Sequence, residues 1–246
     1  MLKDQTLLSK IKSKLFHRNK HKKYIFFRKP VYFNRHPQCD FLITATGPSL
    51  GKHQKEIQKF IDKKKPGLKI IVCNYDGGMF KSDYRIIVNR RRFHTFFDSS
   101  KSETLLLSCN FPRWMIRKRI GNRHFEDVMF KNTYFSDTGV LEIDKKGIIY
   151  TKAGTLATIA LGTAIVMGAK NIYFAGLDGF SMYQPEDIHF FNDNDSIPFD
   201  SRLMQEKATN DMLEQAAKII KERGGELKVI TPTVYKAYYD NSILEQ

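Results

Sequence analysis

The chain has 246 residues, 41% of them hydrophobic and 13% aromatic, enough for one large domain with a real core. Its formal charge is +15, and its three cysteines, Cys39, Cys73 and Cys109, fall at no metal-ligand spacing, which excludes a disulfide-stapled scaffold and predicts a reducing compartment. No run of about 18 apolar residues occurs, so no membrane-spanning helix is expected, and no apolar h-region of a signal peptide is seen.

The charge is lopsided. Residues 1–36 hold eleven Lys or Arg and one acid, Asp4, and so carry +10 of the +15. A basic tail on a nearly balanced domain predicts an anionic surface held beside it, and a phospholipid leaflet fits best. Phe16, Tyr24, Phe26, Phe27, Tyr32 and Phe33 interleave with the charges, a mixture that suits interfacial anchoring. The blander reading is a solvated, flexible arm. Nucleic acid is not expected, because no recognition motif accompanies the charge. Leu7, Leu8, Ile11 and Leu15 predict a short amphipathic helix over 1–15. Residues 16–38 read as irregular, so the extension is drawn over 1–38 and the globular domain over 39–246.

The domain opens on Phe41-Leu42-Ile43-Thr44-Ala45-Thr46-Gly47-Pro48-Ser49-Leu50, which reads as strand, tight turn and helix start. Ser49 is a natural N-cap. Gly47 admits a close approach of backbone or ligand, and a helix N-terminus past a parallel strand suits a phosphate. An ordinary strand–helix turn is the competing reading. A helix over Gln54–Lys64 follows, ended by Pro66-Gly67. Strands are predicted at Leu68–Cys73, Tyr84–Val88 and Thr104–Ser108, the first two running into Asn74 and Asn89. Trp114–Ile120 reads as a basic helix, and Gly139 and Gly147 punctuate short strands and loops after it. Leu156–Met167 is a strongly apolar helix stopped by Gly168-Ala169. Asn171–Gly176 is a buried strand leading to Leu177-Asp178-Gly179. Residues 180–201, with Asn192-Asp193-Asn194-Asp195, read as a lid or binding loop. Asp200–Arg223 is the longest helix, Glu226–Ile230 the last strand, and a final short helix follows Thr231-Pro232-Thr233. Strands alternating with helices predict an α/β fold with a doubly wound, mostly parallel sheet, whose polar strand ends Thr46, Asn74 and Asn89 line one ligand-binding edge.

The Gly47-Pro48-Ser49-Leu50 turn, Asn74, Asn89, and Gly168-Ala169-Lys170-Asn171-Ile172-Tyr173 running into Gly176-Leu177-Asp178 resemble the bacterial sialyltransferases of the Campylobacter type and related capsule- and lipopolysaccharide-cluster domains. The resemblance spans roughly residues 40–235. It implies a Rossmann-like domain, and an inverting, metal-independent transferase that moves an acidic sugar of the sialic acid or Kdo type from a CMP-sugar to a surface-glycan or lipid-linked acceptor. No cofactor beyond that donor is implied. Asn74 and Asn89 match two nucleotide-binding asparagines of that family. Thr46 stands in place of the first-strand asparagine. The region of the family's Thr/Ser-Gly pair reads Gly154-Thr155-Leu156-Ala157-Thr158 here.

Such a transfer needs a base for the acceptor hydroxyl, hydrogen bonds for the departing phosphate, and exclusion of water. The family's histidine would fall near Gln205-Glu206. The base is therefore His189, acting from a rearranged lid, or Glu206, or neither, with a surface-loop histidine and a solvated helix face as the competing readings. A histidine is matched to neutral pH without help, whereas Glu206 would need its pKa raised by burial. Ser49 and Tyr183 are candidates for the phosphate. Arg90, Arg91 and Arg92 read either as anion contacts or as a solvated run. Asp178 is assigned to the donor sugar or to holding its turn, and no metal site is expected because no second carboxylate stands close by. The expected location is the cytoplasmic side of the inner membrane, held peripherally. Two other functions stay open: a Mg-ATP-dependent pyrophosphokinase-like enzyme on a similar scaffold, and a non-catalytic glycan-assembly protein.

Overall fold

Short β-branched and leucine-rich runs, bounded by Gly, Pro or Asn, become strands, and longer apolar-periodic runs between them become helices. The computed structural model describes residues 29–98, 104–132, 138–152, 155–184, 187–191 and 198–244. The expected helix at 1–15, Asn192-Asp193-Asn194-Asp195 and Gly154 lie outside these residues.

In chain order the strands are β1 Asp40–Thr44, β2 Leu68–Cys73, β3 Tyr84–Ile87, β4 Thr104–Ser108, β5 Phe125–Val128, β6 Phe130–Asn132, β7 Leu141–Ile143, β8 Ile149–Thr151, β9 Asn171–Ala175 and β10 Leu227–Val229. The helices are α1 Ser49–Lys52, α2 Gln54–Lys64, α3 Arg90–Phe96, α4 Arg113–Ile120, α5 Leu156–Met167 and α6 Phe199–Glu222. Seven strands form one sheet in the order β10-β9-β1-β2-β3-β4-β5. Every pairing in it is parallel. The chain builds outward from β1 to β5, then returns to the other side of β1 for β9 and β10. The winding therefore reverses between β1 and β9, the position where open α/β sheets leave a crevice. The small strands β6, β8 and β7 make a separate three-stranded sheet between β5 and α5 in sequence.

A parallel sheet covered on both faces needs strands that are apolar on both faces. Phe41, Ile43, Ile71, Ile86 and Phe174 pack in one core with α5 and α6. Their neighbours Leu42, Ile70, Val72 and Tyr173 pack on the opposite face with Ile57, Phe60 and Ile61 of α2. Ile87, Leu105 and Leu107 join α3 and α4 in a third cluster. Helix α5 is buried over residues 157–167, as its all-round apolar sequence requires, and ends at Gly168 with φ +97°. No helix among the described residues is long and apolar enough to cross a membrane.

Two boundaries differ from expectation. Ser49 lies inside α1 rather than capping it; Pro48 holds the N-cap position and no side chain caps the helix. The Ser49 side chain is drawn instead to Asp178. At the N-terminus, the extension drawn to residue 38 includes a segment docked on the domain. The N–H groups of Asn34, His36 and Gln38 donate to the carbonyls of Val166, Met167 and Gly168, satisfying backbone acceptors that the end of α5 leaves open. Tyr32, read as an interfacial aromatic, is fully buried in the main core, and its hydroxyl accepts the Met129 N–H. Arg35 pairs with buried Glu126, and His36 Nε2 meets the Tyr84 hydroxyl at 2.7 Å.

Tyr32→Ala is expected to cost about 3–5 kcal/mol, the range for emptying a buried aromatic site, read from the shift in urea midpoint. Burial, with the nearby Lys69 and Arg35 charges, lowers the His36 pKa from 6.5. The unfolded chain then binds more protons between that lowered value and about 6.5, so this stability is fully present above about 6.5 and is lost as pH falls through the window. Comparing urea midpoints of wild type and His36→Gln across that range should show the wild type losing ground on acidification; parallel curves would refute it.

Candidate functional site

At the reversal point the ends of β1 and β9 run side by side, and their loops wall a cleft of about 200 Å3. The Gly47 N–H donates to the Gly176 carbonyl at 2.9 Å. A Cβ on Gly47 would fall 2.5 Å from Asp178 Cγ and 2.6 Å from the Gly176 oxygen, so only glycine allows this approach.

Asp178 fastens the two loops. Its carboxylate, almost fully buried, accepts the Ser49 N–H at 2.8 Å, the Ser49 hydroxyl, and the Tyr183 hydroxyl at 3.0 Å. Burial pushes the Asp178 pKa up, against the pull of these donors and of Lys52. Tyr183, with Lys52 over its ring, is likewise pushed up, by burial and then by the Asp178 charge. Both donors of Ser49 and the Tyr183 phenol thus face Asp178. These three expected phosphate and sugar contacts form one internal clamp.

The opposite wall comes from β2 and β3. Asn74 lines the cleft in the left-handed conformation, φ +57°, which asparagine adopts more readily than most residues. Its carbonyl accepts from Arg85 at 2.9 Å. Arg85 is paired at 3.1 Å with Asp76, both fully out of water. A buried pair of this kind holds geometry rather than adding stability; here it fixes the turn that carries Asn74. The Asn74 Oδ1 is buried and has no hydrogen-bond partner. Asn89, also on the cleft wall, spends its Oδ1 capping α3 through the N–H groups of Arg91 and Arg92. Cys73 lies in the lining, but burial pushes its thiol far above the usual range, so it is not poised as a nucleophile.

The two candidates for the base part ways. His189 lines the cleft, with Nδ1 3.0 Å from the Thr46 hydroxyl and its ring stacked on Phe191 at 5.4 Å. The next residue's N–H, on Phe190, donates to the Thr46 carbonyl at 3.0 Å, so this stretch of the lid is pinned to the end of β1. Glu206 turns away. Its two oxygens accept the Ser181 N–H and hydroxyl, each at 2.8 Å, and it is absent from the lining. Thr46 and His189 are brought together across 143 positions of sequence.

The lining also holds Arg202 and Tyr235, not singled out from sequence, and Thr155 and Gln205, named there only as positions facing motifs of the family. Arg202 is buried on α6 with its guanidinium 5.9 Å from the Phe180 ring centroid. An arginine and a glutamine three positions apart on a long charged helix look like a solvated face. Only their burial marks them, and burial depends on the loop that crosses α6. Of Arg90, Arg91 and Arg92, only Arg92 reaches the cleft, lying over Phe96 and Phe191. Arg85 and Asp76 carry a weak signal: an arginine inside an apolar strand, and an aspartate ahead of two glycines.

No family model matches the sequence, and no curated protein matches it. Among solved structures, the sialyltransferase CstII from Campylobacter jejuni, described in complex with a substrate analogue, cytidine-5'-monophosphate, aligns over 82% of this chain and 84% of its own, at 12% identity and a TM-score of 0.46. That likeness carries no residue role across to this chain.

Gly47→Ala should destabilise the protein by about 1–3 kcal/mol, because the backbone of Gly176 and the Asp178 carboxylate must both move. A chemical denaturation midpoint unchanged from wild type would show that the two loops are not held this closely.

Proposed function

We propose that the cleft binds the nucleotide of a CMP-activated acidic sugar, and that the protein transfers the sugar with inversion to a hydroxyl of a glycan or lipid-linked acceptor. No metal ion takes part in this reading, and the basic extension keeps the enzyme at the anionic inner face of the membrane. The observation that carries the proposal is the meeting of His189 with Thr46 opposite Asn74, in the crevice between β1 and β9.

The chemistry follows from those residues. A buried acceptor without a partner, Asn74 Oδ1, asks for a donor, and the exocyclic amine of cytosine offers one. Arg92 and Arg202 on the lining suit a donor whose phosphate and sugar carboxylate are both anionic. With its proton on Nδ1, His189 donates to Thr46 Oγ1, and Nε2 is the basic nitrogen of that tautomer, the atom to which we assign the acceptor's proton. The stack on Phe191 holds the ring plane. The acceptor oxygen then attacks the anomeric carbon as the bond to the CMP phosphate breaks. Diphosphate transfer from Mg-ATP would ask for carboxylates open to a cation. Among the described lining residues Asp178 is the carboxylate, and both its oxygens are already bonded within the chain.

A thermal-shift panel of CMP, CTP, UMP and AMP tests the binding. Saturating CMP should raise the melting temperature by several degrees, since ligand at about 100 times Kd adds about 2.7 kcal/mol. Asn74→Gly keeps the left-handed turn while deleting the carboxamide, and should retain the fold but lose the CMP shift. No response to any cytidine nucleotide would overturn the reading. Given a CMP-sugar that is turned over, His189→Ala should slow CMP release about 10²–10⁴-fold, whereas Glu206→Gln should change it far less. The reverse order would assign the base to Glu206.

A further inference from the structure

The strongest unassigned feature lies away from the cleft, at the outer strand of the sheet. Helix α4 reads Arg-Trp-Met-Ile-Arg-Lys-Arg-Ile and contains no acidic residue. Its Met115 and Ile116 are buried against β4 and α3. Trp114 points the other way and is 71% exposed. Arg113, Arg117, Lys118 and Arg119 are exposed around it. Arg113 is paired with Asp127, and both Arg113 and Arg117 lie over the Phe125 ring of β5 at 5.0 and 5.1 Å. Arg117 also donates to the Gly121 carbonyl, and Arg119 lies over Phe97.

The opposite face of the same edge carries the docked N-terminal segment. Tyr32 bonds to Met129 just beyond β5, and Arg35 pairs with Glu126 within it. Next to Tyr32, Val31 is 77% exposed. The two most exposed large apolar side chains of the described residues thus stand on segments that flank one edge strand, one on each face of the sheet. The basic extension enters the fold at that same edge.

We propose that this edge, with α4 and Trp114 at its centre, is a docking surface for an anionic phospholipid bilayer, additional to the basic extension and independent of the reading of the cleft. An exposed indole ringed by long cationic side chains is built for the headgroup boundary: the ring sits at the apolar margin and the cations reach the phosphates. A single-stranded nucleic acid would stack a base on such a ring, but its binding tracks use successive aromatic rings along a charged groove, whereas α4 presents one outward indole. The four cationic side chains of α4, with no acid in the helix, complement an anionic leaflet, and the described N-terminal segment joins the fold beside the same edge strand.

The chain contains one tryptophan, so Trp114 is its own reporter. The full-length protein is titrated with phosphatidylcholine vesicles, with and without phosphatidylglycerol, and with a single-stranded and a duplex oligonucleotide, while tryptophan emission and co-sedimentation are followed. The expected result is a blue shift that saturates with the phosphatidylglycerol vesicles, is absent with phosphatidylcholine alone, and weakens with added salt. Lys118→Glu and Arg119→Glu should each weaken vesicle binding roughly fivefold or more, as loss of a charge at an anionic surface does. Trp114→Ala should weaken sedimentation while leaving the denaturation midpoint unchanged. Sedimentation with unmoved emission would mean that the extension binds alone, and would overturn the proposal. A blue shift with the oligonucleotides but not with vesicles would overturn it in favour of a nucleic-acid surface.

Discussion

One carboxylate at the reversal point of the sheet holds the molecule's working edge together. Asp178 reaches from the end of β9 to the first turn after β1, takes both donors of Ser49, and draws in the Tyr183 phenol from the loop beyond. The contact requires Gly47, because any side chain there would occupy the space of Asp178 and of the Gly176 carbonyl. Parallel strands feed their loops to one end of the sheet, and where the winding reverses those loops splay apart. The Asp178 contacts add to the Gly47–Gly176 backbone bond in fixing the spacing of the loops after β1 and β9. The fastening has a chemical consequence: the anion that the first turn of α1 binds belongs to the protein itself.

With that turn satisfied internally, the open polar groups of the cleft come from elsewhere. Thr46 and His189 face each other at the mouth of β1, and Asn74 projects from the end of β2 on a turn stiffened by the buried Arg85–Asp76 pair. The pair also gathers the N–H groups of Gly78 and Phe80 onto Asp76, so the whole Asn74–Phe80 loop is held by one buried aspartate. The cleft lining brings together an unsatisfied acceptor and an oriented imidazole, with Arg92 and the buried Arg202. It resembles a site prepared for a polar, anionic molecule more than one prepared for an apolar ligand.

The described part of the loop between β9 and α6 is a structural member of the domain. Phe190 packs into the cluster beneath α2 and Phe191 into the cluster beneath α3, while the Phe190 N–H is tied to the Thr46 carbonyl. Tyr75 is stacked between Phe96 and Phe190, joining lid, β2 loop and α3 in one aromatic layer. Through this layer, the position of His189 depends on packing that extends well beyond the cleft.

Much of the fold was legible in the chain. Helix α2, helix α5 and strands β1, β2, β4 and β9 follow from apolar period, β-branched composition and Gly or Pro stops, because those patterns report which faces must leave water. The polar strand ends Thr46, Asn74 and Asn89 were visible for the same reason: they sit where an apolar run stops. What only the tertiary structure decided is which polar groups consume one another. Ser49 looks like an N-cap and a phosphate ligand until Asp178, 129 residues away, takes its hydroxyl and its N–H. Glu206 and His189 are both candidates in the sequence, the histidine favoured by its ordinary pKa; in space Ser181 meets both oxygens of one and Thr46 meets the ring of the other. Tyr32 looks interfacial until the open carbonyls of α5 draw its segment into the core. Hydrophobic pattern is a local property and survives in one dimension, whereas hydrogen-bond partners are chosen by proximity in space, and the long crossovers of a parallel sheet separate those partners by a hundred residues or more of sequence.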